Sequence, residues 1–174
     1  LMLGFTLGIS QGCQPIFSYN YGARQYSRVR EAYRKAIVAA SIICCIAFVC
    51  FQLFPRPIVA LFDPSGSEEY FQFAERYFRI YMFMTLANAF QPITANFFTS
   101  IGKAKRGALI ALTRQVIFLI PLILIFPLFL GIDGVMYAGP IADSAAVVVA
   151  LALVTREMKR MPHVDEPVAA DTLV

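Results

Sequence analysis

The chain has 174 residues, 59% of them hydrophobic and only 15% charged, with a formal net charge of +4. A water-soluble domain carries about 25% charged residues, so this composition excludes an ordinary soluble globule and points to a membrane-embedded chain. The basic residues fall in short turns between apolar runs, which excludes nucleic acid as a partner.

The chain opens on Leu1-Met2-Leu3, inside an apolar segment and without the charged flank of a signal peptide, so it is expected to be a fragment lacking its N-terminal part. Leu1 to Tyr21 reads as the end of a transmembrane helix. Gly4, Gly8 and Gly12 recur at a spacing that lets a neighbouring helix come close, and Pro15 predicts a kink. Gly22 to Lys35 carries Arg24, Arg28, Arg30, Arg34 and Lys35; it is too polar to span and predicts a turn plus a short interfacial helix. Ala36 to Phe54 is an apolar run close to the ~20 residues that cross the hydrocarbon. Pro55 to Glu69, with Pro55, Pro57, Pro64 and Gly66, reads as a loop holding a short surface helix near Ile58 to Phe62.

A long helix is predicted from about Tyr70 to Ile101, its first turns in the headgroups. Gly102 to Gly107 is a second basic turn. Ala108 to Leu130 is the next span, with Pro121 and Pro127 as kinks. Gly131-Ile132-Asp133-Gly134 reads as a tight turn, and Val135 to Thr155 as the last span, interrupted at Gly139-Pro140. The expected architecture is all-α: a polytopic transmembrane bundle of about five spans, the first partial. Residues 1–161 form the membrane unit and 162–174 a disordered tail.

The loops alternate in charge. Residues 22–35, 102–107 and 156–160 hold eleven of the basic side chains, among them Arg24, Lys103, Arg106 and Arg156. Residues 55–69 and 131–134 hold only Arg56, together with Asp63, Glu68, Glu69 and Asp133. Positive residues mark the cytoplasmic side, so the first span runs inward and the C-terminus is expected in the cytoplasm.

Two stretches echo one another: Gln14-Pro15-Ile16-Phe17-Ser18-Tyr19-Asn20-Tyr21-Gly22-Ala23-Arg24 and the shorter Gln91-Pro92-Ile93-Thr94-Ala95-Asn96. Each follows an apolar run and precedes a basic, Gly-containing turn. A duplicated unit of this kind marks repeat architecture in membrane transporters. Together with Ser100-Ile101-Gly102-Lys103, Arg114-Gln115-Val116-Ile117 followed by Ile120-Pro121-Leu122, and Gly139-Pro140-Ile141-Ala142-Asp143, the first stretch resembles the second lobe of multidrug and toxic compound extrusion (MATE) transporters, over about residues 8–145.

The resemblance implies a twelve-helix, two-lobe fold in the cell membrane and secondary antiport of organic cations and drugs against H⁺ or Na⁺ by alternating access. Pro15, Pro92, Pro121 and Pro140 are then the candidate bending points. The implied partners are small organic cations, the lipid bilayer and the missing N-terminal lobe of the same polypeptide. Some family members carry an acidic residue in the membrane part of the helix that here holds Asn88 and Gln91; this sequence has none in that part, which puts a Na⁺ site in this lobe in doubt. A flippase of lipid-linked saccharides sharing the fold is the nearest alternative. A non-transporting membrane scaffold is a second.

Enzyme constellations are absent, so no catalytic residue is expected: His163 is the only histidine, and neither Gly-x-Ser-x-Gly nor a phosphate loop occurs. Cys13, Cys44, Cys45 and Cys50 lie in apolar runs without Cys-x-x-Cys spacing, which predicts small hydrophobes and no metal; no cofactor is expected beyond the coupling ion. What remains is polar groups at membrane depth, which are costly there. Arg114 and Asp143 lie seven to eight residues into adjacent antiparallel spans. They are expected to pair or to line one internal cavity, the pair serving either transport or helix register alone. Gln14, Asn88 and Gln91 are candidate cavity-lining residues, although amides beside Pro15 and Pro92 can equally bond backbone carbonyls freed by the kinks. Phe90, Met82 and Met84 are candidates to pack flat organic cations.

Overall fold

The computed structural model describes residues 2–62, 68–82, 87–162 and 165; the side chains of residues 2, 3, 62, 77, 78, 81, 82, 87, 88 and 132 also lie outside the description. Every regular element described is helical: α1 (Met2–Gly22), α2 (Tyr26–Leu53), α3 (Pro55–Phe62), α4 (Glu68–Met82), α5 (Ala87–Ser100), α6 (Ala104–Leu112), a π-helical segment (Thr113–Leu119), α7 (Ile120–Leu130) and α8 (Ile132–Arg160). Three stretches are long and apolar enough to cross a membrane: Tyr26–Leu53, Ala104–Leu130 and Asp133–Arg160. α1 falls outside that set although it has 21 residues, because Thr6, Ser10, Gln11, Gln14, Ser18 and Asn20 dilute its apolar content. The predicted helix from Tyr70 to Ile101 corresponds to α4 and α5, and its middle, residues 83–86, lies outside the described residues.

Several local expectations are corrected. No separate interfacial helix precedes the second span: α2 is continuous from Tyr26. Its basic start consists of good helix formers, and Glu31 pairs with Lys35 one turn on, at 2.7 Å. The tight turn at Gly131–Gly134 shrinks to Gly131, whose φ of +60° reverses the chain; Asp133 already sits in the first turn of α8, where a carboxylate favours the helix dipole. Gly139-Pro140 does not interrupt α8: Pro140 lies inside the helix, as Pro15 does in α1 and Pro92 in α5.

The core forms where α1, α2, α5 and the end of α8 meet. Phe17, Phe97 and Phe98 are fully buried, with Phe17 edge-on to Phe97 at 5.3 Å and Tyr33 tilted against Phe97 at 5.0 Å. The Tyr33 hydroxyl bonds the Thr94 hydroxyl at 2.8 Å, so this aromatic stack buries no unpaired phenol. By contrast, α7 has no buried residue, and Leu124, Leu128 and Phe129 are each about two-thirds exposed or more. An apolar surface of that extent is stable only against lipid or other protein.

The expected close helix approach at Gly4, Gly8 and Gly12 is not made among the described residues, since a Cβ added at any of them would meet nothing within 4 Å there. The close approaches lie elsewhere. A Cβ on Gly107 would fall 2.6 Å from the Ala95 carbonyl oxygen, and one on Gly134 would fall 2.5 Å from that of Phe126. Gly107 thus lets α6 fold back along α5, and Gly134 lets α8 start directly against the end of α7.

The two turns that follow the sequence echoes share one geometry. Gln25 N–H donates to the Asn20 carbonyl and Lys103 N–H to the Phe98 carbonyl, each five residues back, with a positive φ at Arg24 (55°) and Gly102 (77°). This is the Schellman closure of a helix C-terminus. In the first turn Arg24, rather than Gly22, takes the left-handed position.

Candidate functional site

Arg114 is carried by the π-helical segment. Ile120 N–H reaches the Gln115 carbonyl, five residues back, so the ladder is one residue wider than an α-helix here. Pro121 follows immediately. It brings no backbone N–H to the ladder, and its ring crowds the carbonyl four residues earlier, both of which favour a local change of register. The expectation of a kink at Pro121 therefore becomes a π-to-α junction.

The widened turn aims Arg114 at α8, where its Nε donates to Asp143 Oδ1 at 2.5 Å. The two side chains are 28% and 11% exposed, so this is a largely desolvated pair. One turn earlier, the α6 backbone is held by α5: Gln91 is buried, and its Nε2 donates to the Ile110 carbonyl at 3.1 Å. Ile110 precedes Arg114 by four residues, about 6 Å of helix rise. Thr113, also buried, returns its hydroxyl to the Leu109 carbonyl at 2.6 Å. The structure thus pairs Arg114 with Asp143 at the irregular turn, between the π segment and α8, and sets Gln91 of α5 against the α6 backbone before that turn.

Of the remaining candidates, Gln14 and Phe90 are described elsewhere in the bundle. Gln14 is half-buried on α1, where its carbonyl accepts the Ser18 hydroxyl at 3.0 Å. The Asn88 side chain lies outside the described residues, as do those of Met82 and Met84 and the whole of His163; Phe90 packs against the core. Asn20 and Asn96 bond groups other than carbonyls freed by proline. Asn20 Nδ2 donates to the Ile16 carbonyl at 2.8 Å within its own helix, and Asn96 Nδ2 donates to the Ser10 hydroxyl at 2.7 Å, which in turn donates to the Pro92 carbonyl at 3.1 Å. These bonds tie α1 to α5 across the core. The cysteines are free thiols: Cys44 is buried, Cys13 partly buried, and Cys45 and Cys50 exposed. Among the described residues no group of histidine, cysteine and carboxylate side chains is arranged to hold a metal ion.

A second polar centre escapes sequence reasoning. Glu157, at the end of α8, is 1% exposed and pairs with both Lys103 and Arg106 of the second basic turn. Lys103 also stands 6.0 Å from the Tyr21 ring centroid. Beside it, Arg30 Nη2 donates to the Met161 and Pro162 carbonyls, at 2.8 Å each, and caps the end of α8. Ser27 N–H donates to Asp165 Oδ1 at 2.8 Å, and the bonds from Ser27 hold that exposed carboxyl below its ordinary pKa. All three basic turns therefore converge at one end of the bundle. The only sequence signal was a single acid among Arg156, Lys159 and Arg160.

The opposite end is closed by Arg56, which pairs with Glu68 at 2.5 Å, reaches Glu75 at 3.7 Å and lies 5.6 Å from the Phe71 ring centroid. Gln52 Nε2 donates to the Arg79 carbonyl at 3.1 Å and joins α2 to α4 there.

The fold is similar to that of known proteins. A solved structure described as the outward-facing conformation of a multidrug resistance MATE family transporter superposes with a TM-score of 0.82 at 21% identity, over 90% of this chain and 35% of that one. Another, described only as protein A, is 36% identical with a TM-score of 0.81, over 87% of this chain and 34% of its own. Multidrug export protein MepA of Staphylococcus aureus is 22% identical over 148 residues, which is 85% of this chain and 32% of MepA. The chain thus spans about a third of the length of the relatives it matches. The MatE family model matches residues 1–125, and on that match the chain belongs to the multidrug and toxic compound extrusion family.

Proposed function

We propose that this chain is the later part of the second lobe of a secondary antiporter, which exports organic cations and drugs in exchange for H⁺ or Na⁺ by alternating access across the cell membrane. The observation that carries the reading is the Arg114–Asp143 pair on a π-helical turn within the membrane bundle. A desolvated ion pair contributes little net stability, and π segments concentrate where a helix must change shape. A proton or Na⁺ arriving at Asp143 competes with Arg114 for the carboxylate. The released guanidinium then disfavours a cationic cargo nearby, which couples ion entry to cargo release. Gln14, Asn88 and Gln91 belong to the wall that faces the cargo, and another lobe of the same polypeptide supplies the opposite wall. The end where the basic turns converge faces the cytoplasm, and so does the C-terminus.

A lipid-linked saccharide flippase is less favoured. Its pyrophosphate needs uncommitted cations, and Arg114 is already neutralised by Asp143.

Cells expressing the full-length protein should accumulate less ethidium than control cells. Asp143→Asn at matched surface expression should lose that difference by an order of magnitude or more in initial efflux rate, whereas Arg114→Lys should keep part of it. Equal accumulation with and without the protein would exclude drug efflux. Full efflux in Asp143→Asn, with only a lowered Tm, would reduce the pair to fixing helix register.

A further inference from the structure

We propose that the groove between α1 and the first half of α2 binds an anionic phospholipid, whose phosphate rests on Arg28 and whose acyl chain follows the two helices into the membrane. The groove is an open cavity of about 520 Å³. Its walls are Ile9, Cys13 and Ile16 from α1 and Ala32, Ala36 and Ala39 from α2, with the charged side chains gathered at one end. The small side chains on α2 keep the channel open. From Arg28 to Ala39 the helix rises about 16 Å, the depth of one hydrocarbon leaflet. The groove therefore has the section and the length of an acyl chain, and it opens at headgroup level.

The charges at the mouth select the headgroup. Glu31 is committed to Lys35 at 2.7 Å, and the Asn20 amide to the Ile16 carbonyl. No carboxylate lies within ion-pair distance of Arg28 among the described residues. A second hollow, of about 390 Å³, runs along the other side of the same ridge. Glu31, Lys35 and Ala39 line both hollows; Arg34 stands at the second, with Val38 and Ile42 below it. Arg34 also has no ion-pair partner among the described residues. Two guanidinium groups outside any ion pair among the described residues, Arg28 with only the Glu31 carboxylate that Lys35 already holds as its nearby negative charge, thus stand over two apolar furrows that flank one ridge, which matches a lipid with one phosphate and two chains. Guanidinium groups bind phosphate in bidentate fashion, and each basic residue near a bilayer surface adds about fivefold to the affinity for anionic lipid. An organic cation would meet repulsion here, and free phosphate would leave the furrows unused.

The test uses the purified protein in detergent, with added dioleoylphosphatidylglycerol, dioleoylphosphatidylcholine or inorganic phosphate, and native mass spectrometry to read what is retained. Phosphatidylglycerol should be retained at least fivefold better than phosphatidylcholine, and inorganic phosphate not at all. Arg28→Gln and Arg34→Gln should each lower phosphatidylglycerol retention about fivefold, with unchanged size-exclusion profiles because both side chains are exposed. Ala39→Phe fills both furrows with every charge intact, and it should abolish retention as well. Equal retention of the two lipids, retention of inorganic phosphate in place of lipid, or retention indifferent to Arg28→Gln and Ala39→Phe would overturn the proposal. So would a protein that binds neither lipid because another part of the polypeptide fills the groove. Ethidium efflux is not part of the readout, so the lipid site stands or falls separately from the transport reading.

Discussion

At Glu157 a carboxylate almost wholly removed from solvent is shared by Lys103 and Arg106, whose side chains are 35% and 38% exposed. The burden of desolvation falls on the acid, since the cations keep part of their hydration. Glu157→Gln should therefore cost about 2 kcal/mol, less than a fully buried pair would lose because water screens the partners. A fall of several degrees in the Tm of the detergent-solubilised protein would show it, while Lys103→Gln or Arg106→Gln alone should cost less because the second cation remains. Equal Tm values for Glu157→Gln and wild type would mean that the cluster is neutral to stability. Arg114 and Asp143 were legible where Glu157 was not, for a geometric reason. The first two lie in helices joined by a short turn, so counting rise per residue brings them to within several Å in depth, a gap the long arginine side chain closes. Glu157 meets cations 51 and 54 residues away, and no periodicity in the sequence encodes that encounter.

At the scale of elements, apolar runs located the helices well, while Gly139-Pro140 suggested an interruption that α8 does not have. Proline inside a membrane helix can leave the chain helical, as α5 is at Pro92 and α8 at Pro140. The spacing of Gly4, Gly8 and Gly12 suggested helix contact, but a stripe of small residues only permits contact; it does not supply a partner. Gly107, with no such spacing to advertise it, is where the α5 backbone comes within contact distance. Gly107→Ala should therefore force α6 away from α5, because the obstructing atom is a carbonyl oxygen at 2.6 Å and cannot rotate aside. A loss of about 1–3 kcal/mol is expected, read as a lowered Tm and faster proteolysis at the 101–103 turn. Gly8→Ala meets nothing within 4 Å in this chain and improves helix propensity, so it should leave the Tm unchanged or raise it. A loss at Gly8 as large as at Gly107 would show that the stripe on α1 packs against polypeptide beyond this chain.

For the molecule as a whole, the charge pattern and the geometry answer different questions. Alternation of basic and acidic loops along the chain predicted that residues near 24, 103 and 157 lie on the same side. The structure places them together through Lys103–Glu157, the ring of Tyr21 under Lys103 and Arg30 on the end of α8. Arg56, Glu68 and Arg79 gather at the far end of α2. A bundle with this polarity should insert in one orientation, because moving the cluster of basic turns across the membrane costs far more than moving the acidic end. The exposed side chains Lys105 and Glu69 mark the two ends without touching either ion-pair cluster. In a background lacking the exposed Cys45 and Cys50, Lys105→Cys should react with a membrane-impermeant maleimide only after the cells are opened. Glu69→Cys should react in intact cells. Labelling of both from the same side would contradict a bundle whose basic and acidic loops lie at opposite ends. The reverse pattern would leave the fold intact and invert the cytoplasmic assignment, and with it the direction of the exchange at Arg114–Asp143 in the proposed antiport.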